Sequence, residues 1–239
     1  MIEKFLVKLR RYDAVSAEEE RALCDAVADV VDFARDETII EAKQELAHSL
    51  LLLDGFVHRY KDLHRGARQT LQLAVPGDFL DLHSLLLKQL DHHVGGVTRG
   101  RLALFPHDRL VAITRDRPHL GRLLWLSTIV DASIHREWIM SLGVRSSAAR
   151  LAHLFCELQV RLATVGLAEQ YEYDLPLTQT DLAEILGMTP VHMNRMVREL
   201  RDEGLLTFRG RKVEIHDWDG LVRMAEFDPF YLSLQQRPR

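Results

Sequence analysis

Residues 179–198, QTDLAEILGMTPVHMNRMVR, carry the tightest packing constraint in the chain. Leu182, Leu186, Met188, Met193 and Met196 fall where two short helices must bury apolar side chains against each other. Ala183 sits at their crossing, where a larger side chain would push them apart. Gly187 marks the end of the first helix, at a sharp turn that needs a residue tolerant of positive φ. Thr178 or Thr180 can cap the first helix, and Thr189 the second, with Pro190 at its first position. The small residue, the glycine and the apolar positions fit one template together, a helix-turn-helix, better than an ordinary hairpin in a core. That two-helix unit lays its second helix in the major groove of DNA.

The 239 residues suffice for two domains with cores of their own. Glu3, Lys4 and Lys8 leave no apolar run of signal-peptide length at the start. No stretch approaches the ~18 uncharged apolar residues of a membrane span, so a cytoplasmic protein without a membrane partner is expected. Cys24 and Cys156 form no CxxC pair and cannot alone hold an iron–sulfur cluster or structural zinc; both are expected as reduced core residues. A net charge of −4 argues against a uniformly basic nucleic-acid coat but leaves room for a local patch. With no GxSxG, HExxH, P-loop or dinucleotide fingerprint, the chain reads as non-enzymatic.

Residues 1–31 look helical, with Phe5, Leu6 and Leu9 at helical spacing and Ser16 opening a second helix. Between residues 33 and 105, short apolar runs alternate with turn signals at Asp54-Gly55, His64-Arg65-Gly66, Pro76-Gly77-Asp78 and Gly95-Gly96. This predicts an antiparallel β-roll or jelly roll, with a short helix over residues 81–90. Pro118 opens a long helix to Leu142, about 37 Å at 1.5 Å per residue. Leu120, Leu123, Leu124, Leu126, Ile129, Val130, Ile134, Trp138 and Ile139 cover more than one of its faces, so it needs two partners or complete burial in one monomer. The two-partner reading gives one face to the strand domain and the other to the same helix of a second subunit, with Leu120, Leu123, Leu124, Ile134 and Trp138 at the dimer contact. Gly143 reads as the hinge. Ser146 or Ser147 caps a further helix ending at Gly166. After the helix-turn-helix, residues 205–208, 209–212 and 213–215 read as strand, turn and strand, the wing of a winged helix. Residues 217–239 read as a tail whose end is frayed.

Taken in order, Pro76-Gly77-Asp78-Phe79, Leu177-Thr178, Asp181-Leu182-Ala183, Gly187-Met188-Thr189, Asn194-Arg195 and Leu200 through Leu206 resemble the Crp–Fnr superfamily of bacterial transcription regulators. The resemblance covers residues 15 to 220 or so. It implies an α+β chain in three parts: a cyclic-nucleotide-binding-like β-roll sensor over residues 1–116, a long dimerisation helix and hinge over 117–143, and a winged helix-turn-helix domain over 144–239. Implied partners are double-stranded DNA with a near-palindromic operator, a second copy of the chain, and RNA polymerase.

The second helix of the motif, roughly residues 190–203, would present Pro190, Val191, His192, Asn194 and Arg195 to base edges. Arg195 can donate two hydrogen bonds to guanine, Asn194 can read adenine or a phosphate, and Val191 can touch a thymine methyl. Arg198 is one turn further on, placed for a phosphate. Thr178, Gln179, Thr180 and Thr189 lie at helix N-termini that favour phosphate. Arg209, Arg211 and Lys212 add cations in the wing, which otherwise reads as a solvated turn. Family members with a charged pair at the positions of Pro190 and Val191 read a different base pattern, so this departure leaves the operator sequence open.

Cyclic-nucleotide-binding members carry Gly-Glu-Leu after the Pro-Gly-Asp turn, then an arginine that holds the phosphate. This chain has Asp81-Leu82-His83 and His92-His93-Val94 there. The arginine is missing and Asp81 adds like charge beside a phosphate, so cyclic AMP is not expected to bind and the effector is open. The N-terminal cysteine cluster of the oxygen-sensing branch is absent too. Asp81, His83, His92, Trp125 and Ile129 are candidates for a ligand pocket. His83, His92 and His93 with Asp81 and Asp91 fit no metal-ligand spacing, adjacent His92 and His93 in a strand point to opposite faces, and no metal is assigned; Asp81 and Asp91 pair with histidines or cap the short helix instead. Two further readings share these residues: a constitutive DNA-binding regulator with a non-sensing roll, and a ligand or metal sensor acting through protein partners.

Overall fold

The computed structural model describes residues 1–62, 66 and 68–238. The turn expected at His64-Arg65 and the final Arg239 lie outside the described residues.

Helices α1 (Glu3–Tyr12) and α2 (Ala17–Asp25) lead into the roll. Ser16 and Glu19 form a reciprocal capping box on α2. Seven strands follow: β1 (Asp29–Phe33), β2 (Thr38–Ile40), β3 (His48–Asp54), β4 (Val57–Asp62), β5 (Arg68–Ala74), β6 (His93–Gly96) and β7 (Gly100–Pro106), with the short α3 (Ser84–Leu87) between β5 and β6. They build two antiparallel sheets, β1-β7-β3 and β2-β6-β4-β5. Phe33, Leu52 and Leu102 from the first and Ile40, Val57, Ala74 and Val94 from the second bury one shared cluster. Gly95-Gly96 lies within β6 and makes no turn. Its glycine answers a close approach, since a Cβ at Gly96 would come within 2.5 Å of the Ala34 carbonyl oxygen.

Helix α4 (His107–Asp116) precedes the long α5 (Pro118–Val144), which has 27 residues and spans about 40 Å. Its apolar faces are used the other way round from the expectation. Leu120, Leu123, Leu124, Ile134 and Trp138 are all buried in the chain's own core, with Phe5, Leu9 and Phe105, and cannot also meet a second subunit. The face left in solvent carries Trp125, 69% exposed, and Ile139, 70% exposed. Sequence counts apolar residues without saying which face the domain claims, and the one densest in leucine was claimed internally. Gly143 sits inside the helix; the break falls at Arg145, in extended conformation, and Ser146 caps α6 (Ser147–Thr164).

Then come β8 (Ala168–Glu169), β9 (Glu172–Asp174), α7 (Gln179–Ile185), α8 (Pro190–Asp202), β10 (Leu206–Arg209), β11 (Lys212–Ile215) and α9 (Trp218–Ala225). The strands form a sheet ordered β10-β11-β9-β8. The small β8–β9 hairpin and α9 fall where only loop and tail were expected. Asp217 caps α9, while Leu221, Ala225, Phe227 and Leu232 are buried, so residues 217–232 complete the core. Cys156 is buried as expected, whereas Cys24 is exposed.

Helix α6 is buried on nearly all sides, charges included. Glu157 accepts hydrogen bonds from Trp138 Nε1 (3.2 Å), Arg161 Nη1 (2.8 Å) and Tyr231 Oη (2.7 Å), which satisfies a carboxylate that burial alone would penalise. Burial pushes the imidazoles of His58, His83 and His153 down to about 4. The folded state therefore binds fewer protons than the unfolded one. Its stability is full above the ordinary histidine value of 6.5 and is lost as pH falls toward 4. Burial lowers His92, His107 and His135 as well, while Asp81, raised to about 6 by burial, works in the opposite sense, one group against six. The thermal midpoint is expected to drop steadily between pH 7 and pH 4.5 in a denaturation series; a constant or rising midpoint contradicts this assignment.

Candidate nucleic-acid interface

Thr178 caps α7 in a reciprocal box: its Oγ1 accepts from the Asp181 amide, and the Asp181 carboxylate accepts from the Thr178 amide. Leu182, Ala183, Ile185 and Leu186 are buried on one side and Met193, Met196, Val197 and Leu200 on the other, as the packing pattern requires. Gly187 has φ +64°, the left-handed turn conformation. Thr189 Oγ1 accepts from the His192 amide at 3.2 Å, and Pro190 occupies the first position of α8. Of the candidate caps, Thr178 and Thr189 serve; Thr180 is exposed.

The opposite face of α8 is open. Val191 is 83% exposed, and Pro190, Asn194, Arg195 and Arg198 are exposed as well, with His192 half-buried. Asn194 Nδ2 donates to Gln179 Oε1 at 2.9 Å, tying the two helix N-termini together. Arg195 donates to His192 Nδ1 at 2.7 Å one turn earlier. Neither Arg195 nor Arg198 is paired with a carboxylate among the described residues, so both cations remain available to an anionic partner. In the wing, Arg209 is paired with Lys212 across a two-residue turn whose central Gly210 and Arg211 both have positive φ. Arg209 and Arg211 are exposed. Lys212 is different: it forms an ion pair with Glu172 of β9, which weakens it as a phosphate contact. The sequence alone groups Lys212 with its wing neighbours, since the short β9 that carries Glu172 has no strand signal of its own.

Residues 149–224 match the family described as Crp-like helix-turn-helix domain. The chain is similar to the transcriptional activator protein FnrL of Cereibacter sphaeroides, 24% identical over 225 residues that span 91% of this chain and 90% of that protein. It is 28% identical over 177 residues to the nitrogen fixation regulation protein FixK of Bradyrhizobium diazoefficiens, covering 74% of this chain and 73% of that one. Over residues 149–224 the chain carries a Crp-like helix-turn-helix domain, and over most of its length it is similar to transcription regulators of the Crp–Fnr type. Its fold is also that of FixK2 from Bradyrhizobium japonicum, with a TM-score of 0.74 at 23% identity over 83% of this chain and 97% of that structure.

In this chain the space between roll and long helix is closely packed. Arg59 of β4, 1% exposed, donates to Asp131 Oδ1 of α5 at 2.8 Å, to the Leu80 carbonyl at 2.8 Å and to the Phe79 carbonyl at 3.1 Å, and also bonds Gln72. Gln72 in turn donates to Asp131 at 3.0 Å. Two small cavities lie there, one bounded by His83, Ser127, Thr128 and Asp131 and one by Val75, Pro76, Val130 and Ile134, each about 20 Å³, room for one water. Trp125 and Ile129, placed by sequence in a ligand pocket, face solvent instead, because they lie on the uncovered side of α5. Asp81 accepts from the Leu50 amide (2.6 Å) and from Ser84 Oγ (2.9 Å), which anchors α3. Asp91 pairs with His92 at 2.9 Å, and the His83 and His92 rings lie 5.9 Å apart. His93 stacks on Tyr60. Among the described residues no helix is long and apolar enough to cross a membrane.

Proposed function

We propose that the chain is a homodimeric, sequence-specific DNA-binding regulator, acting in the cytoplasm with RNA polymerase as a further partner. The observation that carries this reading is the open edge of α8, where Val191, Asn194, Arg195 and Arg198 are exposed beside a capped N-terminus and, among the described residues, neither arginine is paired with a carboxylate. The dimer rests on α5. Its exposed positions Trp125, Ile129, Ala132, Arg136, Ile139 and Gly143 recur at alternating steps of four and three, the seam of a two-stranded coiled coil. Two recognition helices so arranged read half-sites one turn, about 34–36 Å, apart. Arg195→Ala is expected to weaken operator binding by about 1–3 kcal/mol, roughly 5- to 150-fold, and to relax base preference at one position per half-site. Its thermal midpoint should match wild type, since the side chain is exposed. Equal affinity of R195A and wild type in a titration of the selected operator counts against this reading.

The filled interior favours a roll that works as a scaffold, with DNA binding independent of a cyclic nucleotide. Calorimetric titration with cyclic AMP is expected to give no heat at micromolar concentrations, and cell-extract metabolites are expected to leave operator affinity unchanged. Micromolar binding at that pocket contradicts this part of the proposal.

A further inference from the structure

The winged domain is fastened to its own roll at two separate places by charge. From α6, the buried Arg161 reaches into the Pro76-Gly77-Asp78 turn, where it pairs with Asp78 and donates to the Leu73 carbonyl at 3.0 Å. Asp78 is also held by Lys8 of α1 at 2.7 Å and by the Val75 amide at 2.9 Å. The turn leaves little slack: Gly77 has φ +95°, and a Cβ there would come within 3.2 Å of the Lys4 backbone and 3.3 Å of Val165 at the end of α6. The second fastening lies at the reading head itself. Arg35, between β1 and β2, forms an ion pair with Asp181, the carboxylate that caps α7. Between α5 and α6 only Arg145 and Ser146 lie outside helix. That joint could turn if nothing else held the domain.

We propose that Arg161 and Arg35 are positioning residues for DNA recognition, locking each winged domain to its own roll so that this contact sets the separation of the two recognition helices. The inference rests on the dimeric reading above. Buried ion pairs tolerate little displacement, because each charge depends on its partner's geometry to offset lost hydration. The Arg161–Asp78 contact therefore fixes an orientation, and the Arg35–Asp181 contact resists rotation about it.

The test compares full-length wild type with the R35A/R161Q variant on duplexes whose two half-sites are stepped apart by single base pairs, and on a duplex with one half-site. Arg161→Gln leaves Asp78 paired with Lys8, and Glu157 keeps its Trp138 and Tyr231 donors. Wild type is expected to prefer one separation by about a hundredfold or more, as simultaneous engagement of two sites allows only where geometry permits it. The variant is expected to flatten that preference below roughly tenfold, while single half-site affinity stays within about twofold, since Arg161 is buried and Arg35 lies outside α8 and the wing. A variant that keeps the sharp preference overturns the proposal. Should the double variant lose its near-ultraviolet dichroism, R35A alone decides on the same duplexes: a flattened profile supports the proposal, and an unchanged one overturns it. Wild type that gains nothing from a second half-site contradicts the dimeric reading instead, and with it the basis of this one.

Discussion

Replacing Ile129 and Ile139 together by aspartate is expected to turn the protein into a monomer and to cut operator affinity by about a hundredfold or more. Both side chains lie on the solvent face of α5, 44% and 70% exposed, and belong to no buried cluster of the subunit. Each subunit should therefore fold without them. In a coiled pair they occupy the seam, where four carboxylates would be stripped of water and set against one another. Sedimentation equilibrium gives the mass and a titration of the paired half-sites gives the loss. The contrasting substitution is Leu123→Ala, at a residue buried in the subunit core. It should lower stability by about 2–5 kcal/mol through the cavity it leaves, with assembly of the folded fraction unchanged. A double aspartate variant that remains dimeric would move the subunit contact off α5.

The second large effect is expected at Asp131. Asp131→Leu removes the carboxylate that pairs with the buried Arg59 guanidinium, a loss of about 3–5 kcal/mol. For a chain of this size that is a drop of roughly 10 °C in the thermal midpoint. The carboxyl itself, though burial opposes its ionised form, is held below its ordinary range by Arg59 first and His135 next. The ion pair is accordingly formed at neutral pH. Removing both partners, as Arg59→Met with Asp131→Leu, should restore most of the midpoint, because an apolar pair of similar volume needs no compensating charge. If the single variant melts with wild type, the guanidinium has found water and the interior is more open than the packing indicates.

Much of the reading head was legible because its constraints are local. A helix-turn-helix is specified within twenty or so neighbouring residues by caps, one small crossing residue and one left-handed glycine, and Thr178, Ala183, Gly187, Thr189 and Pro190 all stand where those rules put them. The roll was legible as a class, since its short strands alternate with turn residues. Its glycines misled at Gly95-Gly96, because close packing against a neighbouring strand uses the same residue type as a turn. What sequence could not show was partnership across distance. The leucines of α5 say only that several of its faces are apolar; which one meets the core depends on Phe5, Leu9 and Phe105, more than a dozen residues away in every case. Arg59, Arg161 and Arg35 carry no sequence signal for the same reason. Their distant carboxylate partners, Asp131, Asp78 and Asp181, lie 72, 83 and 146 residues off in the chain, and no spacing rule connects those pairs. Residues 217–239 read as tail because α9 is short; its burial is supplied by α6, not by its own pattern.

In the proposed assembly α8 enters the major groove, presented twice by a pair of subunits. Selection of bound sequences from random duplex DNA tests it most directly. The expected outcome is an inverted repeat whose half-sites are centred about one helical turn, 34–36 Å, apart, with a guanine in each half-site whose selection disappears in R195A. Recovery of no motif, or of a single unrepeated half-site unaffected by R195A, would contradict the account.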